Sequence, residues 1–360
     1  MNHLKPFTYT GNPSRVIFGP GCVKRLASEL QGLGLSRPLL LSTPQQTDQI
    51  SALSGDLDGK VAGIFSEAAM HTPTNITQRA LEYATSVNCD SIVSLGGGST
   101  IGLGKALGIR TGLTHICIPT TYAGSEMTPI LGETENGLKK TRSDPKILPN
   151  VVIYDVELTM TLPVGMSLTS GVNAIAHSVE ALYSPTNNPI ISLLALESIR
   201  CLAASLPLLL EEPSNLSART SVQYGAWLAG LCLGSVGMGL HHKLCHTLGG
   251  SFNMPHAETR TIVLSHALAY NSPQIPDVMQ KLAEVLPESN GDAVAGLNVL
   301  LEKLAVGRAL REHGFKEEDI EKAAELACGS VYPNPRPIEK RPISELIRRA
   351  WAGEPARADL

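Results

Sequence analysis

Four histidines crowd into one short span, His241, His242, His246 and His256, within GLHHKLCHTLGGSFNMPHAETR. His242 and His246 are four residues apart, which puts them on one face of a helix. His256 follows Pro255 after a break. The chain has 10 histidines, and so many of them in one place point to a working site rather than to scattered solvated rings. Asn173 and His177 repeat the four-residue spacing in SGVNAIAHSVEALYS. That pair looks like half of a metal site with a neutral amide where a dication would want a carboxylate. Asn also favours helix N-caps, so a capping role stays open here.

A second group of residues suits anion binding. Gly96, Gly97, Gly98 and Ser99 follow the apolar run SIVSL and open a helical pattern. Glycines let a ligand approach the backbone, and the free N–H groups of a helix start attract phosphate. The spacing is not GxGxxG, so a plain tight turn fits equally well. The next polar loop carries Thr120, Thr121, Tyr122, Ser125 and Thr128 in PTTYAGSEMT. Both loops sit at carboxyl ends of predicted strands, where open α/β sheets bind ligands, though Ser and Thr also cap turns. Thr43 follows PLLLS at a position where an acid would favour NAD. Being neutral, it predicts NADH use with NADPH also accepted. Lys139, with Lys140 and Arg142, is a candidate partner for a cofactor or substrate carboxylate.

These residues need a scaffold. PLLLS (38–42), VAGIF (61–65), SIVSL (91–95), HICIP (115–119) and VVIYD (151–155) read as buried strands, and RVIFG (15–19) as an edge strand. The helical pattern of 76–87 lies between them, so a parallel sheet with helices on both faces is expected. Beyond about residue 160 strand patterns vanish. Segments 167–184, 189–212, 218–233, 293–314, 317–328 and 343–353 fit helices, and the tail GEPARADL reads as frayed. With 43% hydrophobic residues the chain can bury sizeable cores. A net charge of −4 and 4% aromatics argue against nucleic-acid binding. MNHLKPFTYTGNPSRVIF lacks the pattern of a leader, and no apolar run reads as uniform enough to span a bilayer. The 7 cysteines are scattered without a CxxC pair, which predicts reduced thiols in the cytoplasm.

Taken together, LGGGS, PTTYAGSE, GVNAIAHSVEALYS and HKLCHTLGGSFNMPHA resemble the iron-containing alcohol dehydrogenase superfamily across nearly the whole chain. The resemblance implies an N-terminal Rossmann-like α/β dinucleotide-binding domain (1–160) and an all-α C-terminal domain (161–360), the dehydroquinate synthase-like plan. It also implies an active site in the cleft between them. Metal-bearing members use an Asp and three His; the matching positions are Asn173, His177, His242 and His256, and a further histidine near the nicotinamide falls on His246. Three departures are informative: Asn173 for Asp, Gly102 for Asp, and TTYAGSE for TTAGTGSE. They are similar to the maleylacetate reductase branch. That implies NAD(P)H-dependent reduction of the double bond of maleylacetate to 3-oxoadipate, in the catabolism of aromatic compounds, by a homodimer that needs no metal. In this reading His242 or His246 gives the proton, His177 and His256 hold substrate, and Asn173 adds an oxyanion donor. Lys243, Arg260 and the 139–142 cluster are candidates for the carboxylates of the substrate. The rival is a metal-dependent alcohol or hydroxyacid dehydrogenase of the same superfamily.

Overall fold

Short continuous runs of Leu, Ile and Val, buried on both faces, build the strands of the first unit's main sheet. The structure is a computed structural model and describes residues 6–11, 14–329 and 331–360. The stretch read for a leader therefore lies partly outside the described residues. The chain divides into Gly11–Leu162 and a second unit in which residues 6–10 group with Pro163–Leu360.

In the first unit the strands are β1 (Arg15–Phe18), β2 (Pro38–Leu41), β3 (Gly63–Phe65), β4 (Ser91–Gly96), β5 (Thr114–Pro119), β6 (Ile130–Glu135), β7 (Leu138–Ser143) and β8 (Val151–Tyr154). Six of these form one parallel sheet in the order β1-β8-β5-β4-β2-β3. The helices are α1 (Leu26–Gly32), α2 (Thr47–Asp56), α3 (Thr74–Ser86) and α4 (Gly98–Thr111). Alternate strand residues face opposite sides. Leu40, Val93, Leu95, Ile116 and Ile118 pack on α1 and α2 through Leu30, Ile50 and Leu53. Leu39, Leu41 and Ile92 pack on α3 and α4 through Ala80, Ala84, Leu103 and Leu107. Each such aliphatic side chain contributes about 1.5–3 kcal/mol by leaving water.

The connections fix where a ligand can sit. From β2 the chain crosses by α2 to β3, and from β4 it crosses by α4 to β5, in the opposite direction and on the other face. The order reverses between β2 and β4, and such a reversal opens a crevice at the carboxyl ends of the strands. β6 and β7 form a separate antiparallel hairpin, which the sequence reading did not anticipate. Its turn is Asn136-Gly137, both at positive φ, the geometry that a two-residue hairpin loop demands.

The second unit is helical: α5 (Val164–Tyr183), α6 (Pro189–Ser205), α7 (Leu208–Glu211), α8 (Leu216–Ser235), α9 (Leu240–Phe252), α10 (His256–Asn271), α11 (Pro276–Val285), α12 (Ala293–Lys303), α13 (Ile320–Cys328) and α14 (Lys340–Ala352). Two expectations need correction. The stretch Pro189–Glu211, with a mean hydropathy of 1.8, is long and apolar enough to cross a bilayer by length and composition. Its apolarity has a local cause, since α6 packs against both α5 and α8. The tail is also not frayed. Ala356 is buried and exchanges two hydrogen bonds with the Asn298 side chain, at 2.9 and 3.3 Å, while Arg349 pairs with Asp359.

Candidate active site

Helix α5 is buried without interruption from Gly171 to Leu182. A helix apolar on all sides belongs in a core, and any polar group it carries there must find a partner. Asn173, His177 and Glu180 follow at spacings of four and three, so they line one face. Asn173 lies well inside the helix, which rules out the capping role.

These three side chains join a chain of contacts. Arg260 Nη1 donates to Asn173 Oδ1 at 2.6 Å. Asn173 Nδ2 lies 3.1 Å from His177 Nε2. His177 Nδ1 lies 2.9 Å from His242 Nε2, with the two rings stacked at 4.9 Å. His242 Nδ1 meets Glu180 Oε2. The carboxylate of Glu180 also accepts from the backbone N–H groups of His241 (2.8 Å) and Gly239 (3.2 Å). It thereby satisfies the otherwise orphaned first turn of α9.

Burial sets the charge states. It pushes His241 down to about 3 and His242 well below the ordinary imidazole value, so both rings are neutral near pH 7. Burial raises the Glu180 carboxyl, against the pull of His241 and the backbone donors. His241 Nε2 faces the Arg260 carbonyl at 2.8 Å, so it must be the protonated nitrogen. His241 Nδ1 is then a bare lone pair, buried and without a partner. His246 is exposed and His256 half-buried. Their rings are parallel, with centroids 6.4 Å apart.

In the first unit, the loops after β2, β4 and β5 are tied together. Gln46 Nε2 donates to Thr120 Oγ1 at 3.0 Å, and the Thr120 N–H donates to the Gly96 carbonyl at 3.1 Å. Gly96 has φ +152°, and a Cβ there would lie 2.5 Å from Thr100 Oγ1 and 2.7 Å from Gln46 Oε1. A Cβ on Gly97 would lie 2.9 Å from Thr121. Gly98 is open and exposed at the start of α4. Thr43, Ser99, Thr121 and Ser125 are half-buried around this crevice. Tyr122 and Thr128 are buried instead, because Lys105 pulls the loop inward. Its ammonium donates to Ser125 O (2.5 Å), Thr128 O (2.8 Å), Thr128 Oγ1 (3.0 Å) and Ile130 O (2.9 Å). Burial brings Lys105 down to about 8. Lys139 is exposed on β7, and its neighbours Lys140 and Arg142 pair with Glu135 and Glu133.

Comparison with known proteins places this arrangement. Residues 13–156 match the iron-containing alcohol dehydrogenase family, and residues 167–351 match its C-terminal region. The chain belongs to the iron-containing alcohol dehydrogenase family. A maleylacetate reductase of Rhizobium sp. (strain MTP-10005) is 50% identical over 350 residues, covering 97% of this chain and 99% of that one. The crystal structure of maleylacetate reductase from Agrobacterium tumefaciens superposes with a TM-score of 0.95 at 49% identity, covering 98% and 100%. An iron-containing alcohol dehydrogenase from Corynebacterium glutamicum has a TM-score of 0.93 at 37% identity, covering 99% of each chain.

Family membership corrects the expectation of a site without metal. The family is an iron-containing one, and among the described residues Glu180, His241 and His242 bring three ligating atoms within 4.8 Å of one another. The donor set fits a cation on its own chemistry: a buried carboxylate and imidazole nitrogens suit zinc or iron, and the Nδ1 lone pair of His241 has no other use. Of the four positions matched to the family's ligands, only His242 belongs to this triad. The sequence reading missed Glu180, although an acidic residue one turn beyond His177 in an apolar helix had to be buried and paired. It also gave no role to His241, Gln46 or Lys105.

Proposed function

We propose that this chain uses a reduced nicotinamide coenzyme, NADH or NADPH, to reduce the carbon–carbon double bond of maleylacetate, giving 3-oxoadipate. The observation that carries the reading is 50% identity to a maleylacetate reductase over 97% of the chain. In this substrate the double bond is conjugated to a ketone. Hydride adds to the carbon β to that ketone, charge flows onto the ketone oxygen as an enolate, and a proton completes the α carbon. The electron sink is built into the substrate.

The chain's own residues then have defined tasks. Gly96, Gly97, Gly98 and Ser99 form the phosphate cradle, with Thr43, Thr120, Thr121 and Ser125 around it. Tyr122 and Thr128 are buried within the loop after β5 and Lys139 is exposed on β7. His246, the exposed imidazole of the cluster, delivers the proton, a role suited to an accessible imidazole. His242 is a poor donor, since both its ring nitrogens are engaged. His177 is just 1% exposed and engaged at both nitrogens, so contact with substrate passes to His256. Donors aimed at the enolate oxygen lower the barrier by roughly 2.7–4 kcal/mol each. A cation held by Glu180, His241 and His242 would supply Lewis-acid polarisation of an oxygen. The enzyme works as a cytoplasmic homodimer, and the free state of its seven cysteines suits a reducing compartment.

The test is turnover. The wild-type chain should consume NADH in the presence of maleylacetate, and His246→Ala should lower kcat by about 10²–10⁴-fold with NADH affinity unchanged. Inertness toward maleylacetate alongside rapid oxidation of simple alcohols would favour the alcohol dehydrogenase reading.

A further inference from the structure

The contacts from Arg260 to Glu180 admit one arrangement of protons. Arg260 has donors only, so the atom of Asn173 that faces it must be the amide oxygen. The amide nitrogen therefore faces His177 Nε2 and donates to it. A neutral imidazole that accepts at Nε2 carries its proton on Nδ1, so His177 donates to His242 Nε2. By the same rule His242 carries its proton on Nδ1 and donates to Glu180. Every link points the same way, from the half-buried Arg260 guanidinium to the buried carboxylate.

We propose that Asn173 and Arg260 are positioning residues that set this proton order, and with it whether His242 offers a proton or a lone pair to the Glu180–His241 pocket. An amide can donate to His177; a carboxylate cannot. Asp at position 173 accepts from Arg260 and from His177 Nε2–H, which turns every later link around. His177 Nδ1 then accepts from His242 Nε2–H, and His242 Nδ1 becomes a lone pair that accepts from a protonated Glu180 carboxyl in metal-free protein or faces a cation held with Glu180 and the bare Nδ1 of His241. Arg260 holds the other end: without it the amide is free to rotate by half a turn, and both orders become accessible. Asn173 is thus more than a missing ligand, because its amide fixes the tautomers of two histidines that the sequence placed at the site.

The inference concerns the same site as the proposed reduction, but its test does not depend on that reaction. Metal-free protein with ¹⁵N-labelled histidine is examined by NMR, which reports the protonated nitrogen of each ring directly. Wild-type His177 and His242 should both show the Nδ1–H form, and Asn173→Asp should convert both to Nε2–H. Arg260→Lys keeps a donor on the amide oxygen and should retain the wild-type form. Arg260→Met should lose the single form and show mixed or averaged signals; it serves as the decisive variant where Asn173→Asp does not fold. Cobalt(II) should bind Asn173→Asp about 10–100-fold more tightly, the range typical of groups that orient metal ligands. Unchanged Nδ1–H forms in Asn173→Asp or in Arg260→Met overturn the proposal, including when cobalt binding tightens, since a new carboxylate ligand alone would do that. Failure of the chain to reduce maleylacetate would leave the NMR result standing.

Discussion

Replacing Lys105 by methionine isolates one buried charge and the loop that it holds. Lys105 is 1% exposed and faces the carbonyls of Ser125, Thr128 and Ile130. Glu126, Cys117 and His115 are the titratable groups around it. Burial lowers its value from 10.5 to about 8. At about 1.36 kcal/mol per unit, keeping the group charged in the fold costs about 3 kcal/mol at neutral pH. Between the folded and unfolded values the unfolded chain binds more protons than the folded one, so stability rises with pH across that window. Wild-type stability relative to Lys105→Met should therefore increase by about 2.5 kcal/mol from about pH 7 to pH 10. Urea unfolding of both proteins at matched pH values measures the difference, with other titrating groups cancelling between them. The variant also removes the ammonium donor from the carbonyls of Ser125, Thr128 and Ile130, so its loop should loosen and its NADH affinity fall. A flat stability difference across the window would refute the reasoning, because it would mean that the ammonium is not desolvated.

Two further outcomes follow from the same geometry. Gly96→Ala forces a Cβ into Thr100 and Gln46 at a positive φ; it should cost about 1–3 kcal/mol of stability and raise the NADH Kd about tenfold or more, read by thermal unfolding and fluorescence titration. Glu180→Gln removes the anionic member of the candidate metal triad; cobalt(II) binding, followed by its visible absorption, should weaken about 10–100-fold.

Much of the scaffold could be read from the sequence because parallel strands buried on both faces are continuous apolar runs. The runs at 38–42, 91–95, 115–119 and 151–155 all became strands of the main sheet. The β6–β7 hairpin escaped notice because GETENGLKKTRS is polar, half-buried on β6 and exposed on β7, although Asn136-Gly137 carried the turn signal. Helix α12 was drawn too long, since Ala305 takes a positive φ and ends it early. At the site, the histidines announced themselves by number and spacing. Glu180 did not, because its role depends on α9 arriving with its first turn aimed at the carboxylate, a tertiary fact that no local pattern encodes. The same holds for Arg260, whose partner Asn173 lies 87 residues away in the chain.

The central claim is that hydride goes to an alkene carbon while a conjugated ketone takes the charge. Turnover of maleylacetate with NADH deuterated at the transferable position tests this most directly. The account predicts an intact ketone and deuterium on the saturated carbon β to it. Deuterium on a carbinol carbon, with the double bond still present, would contradict the account.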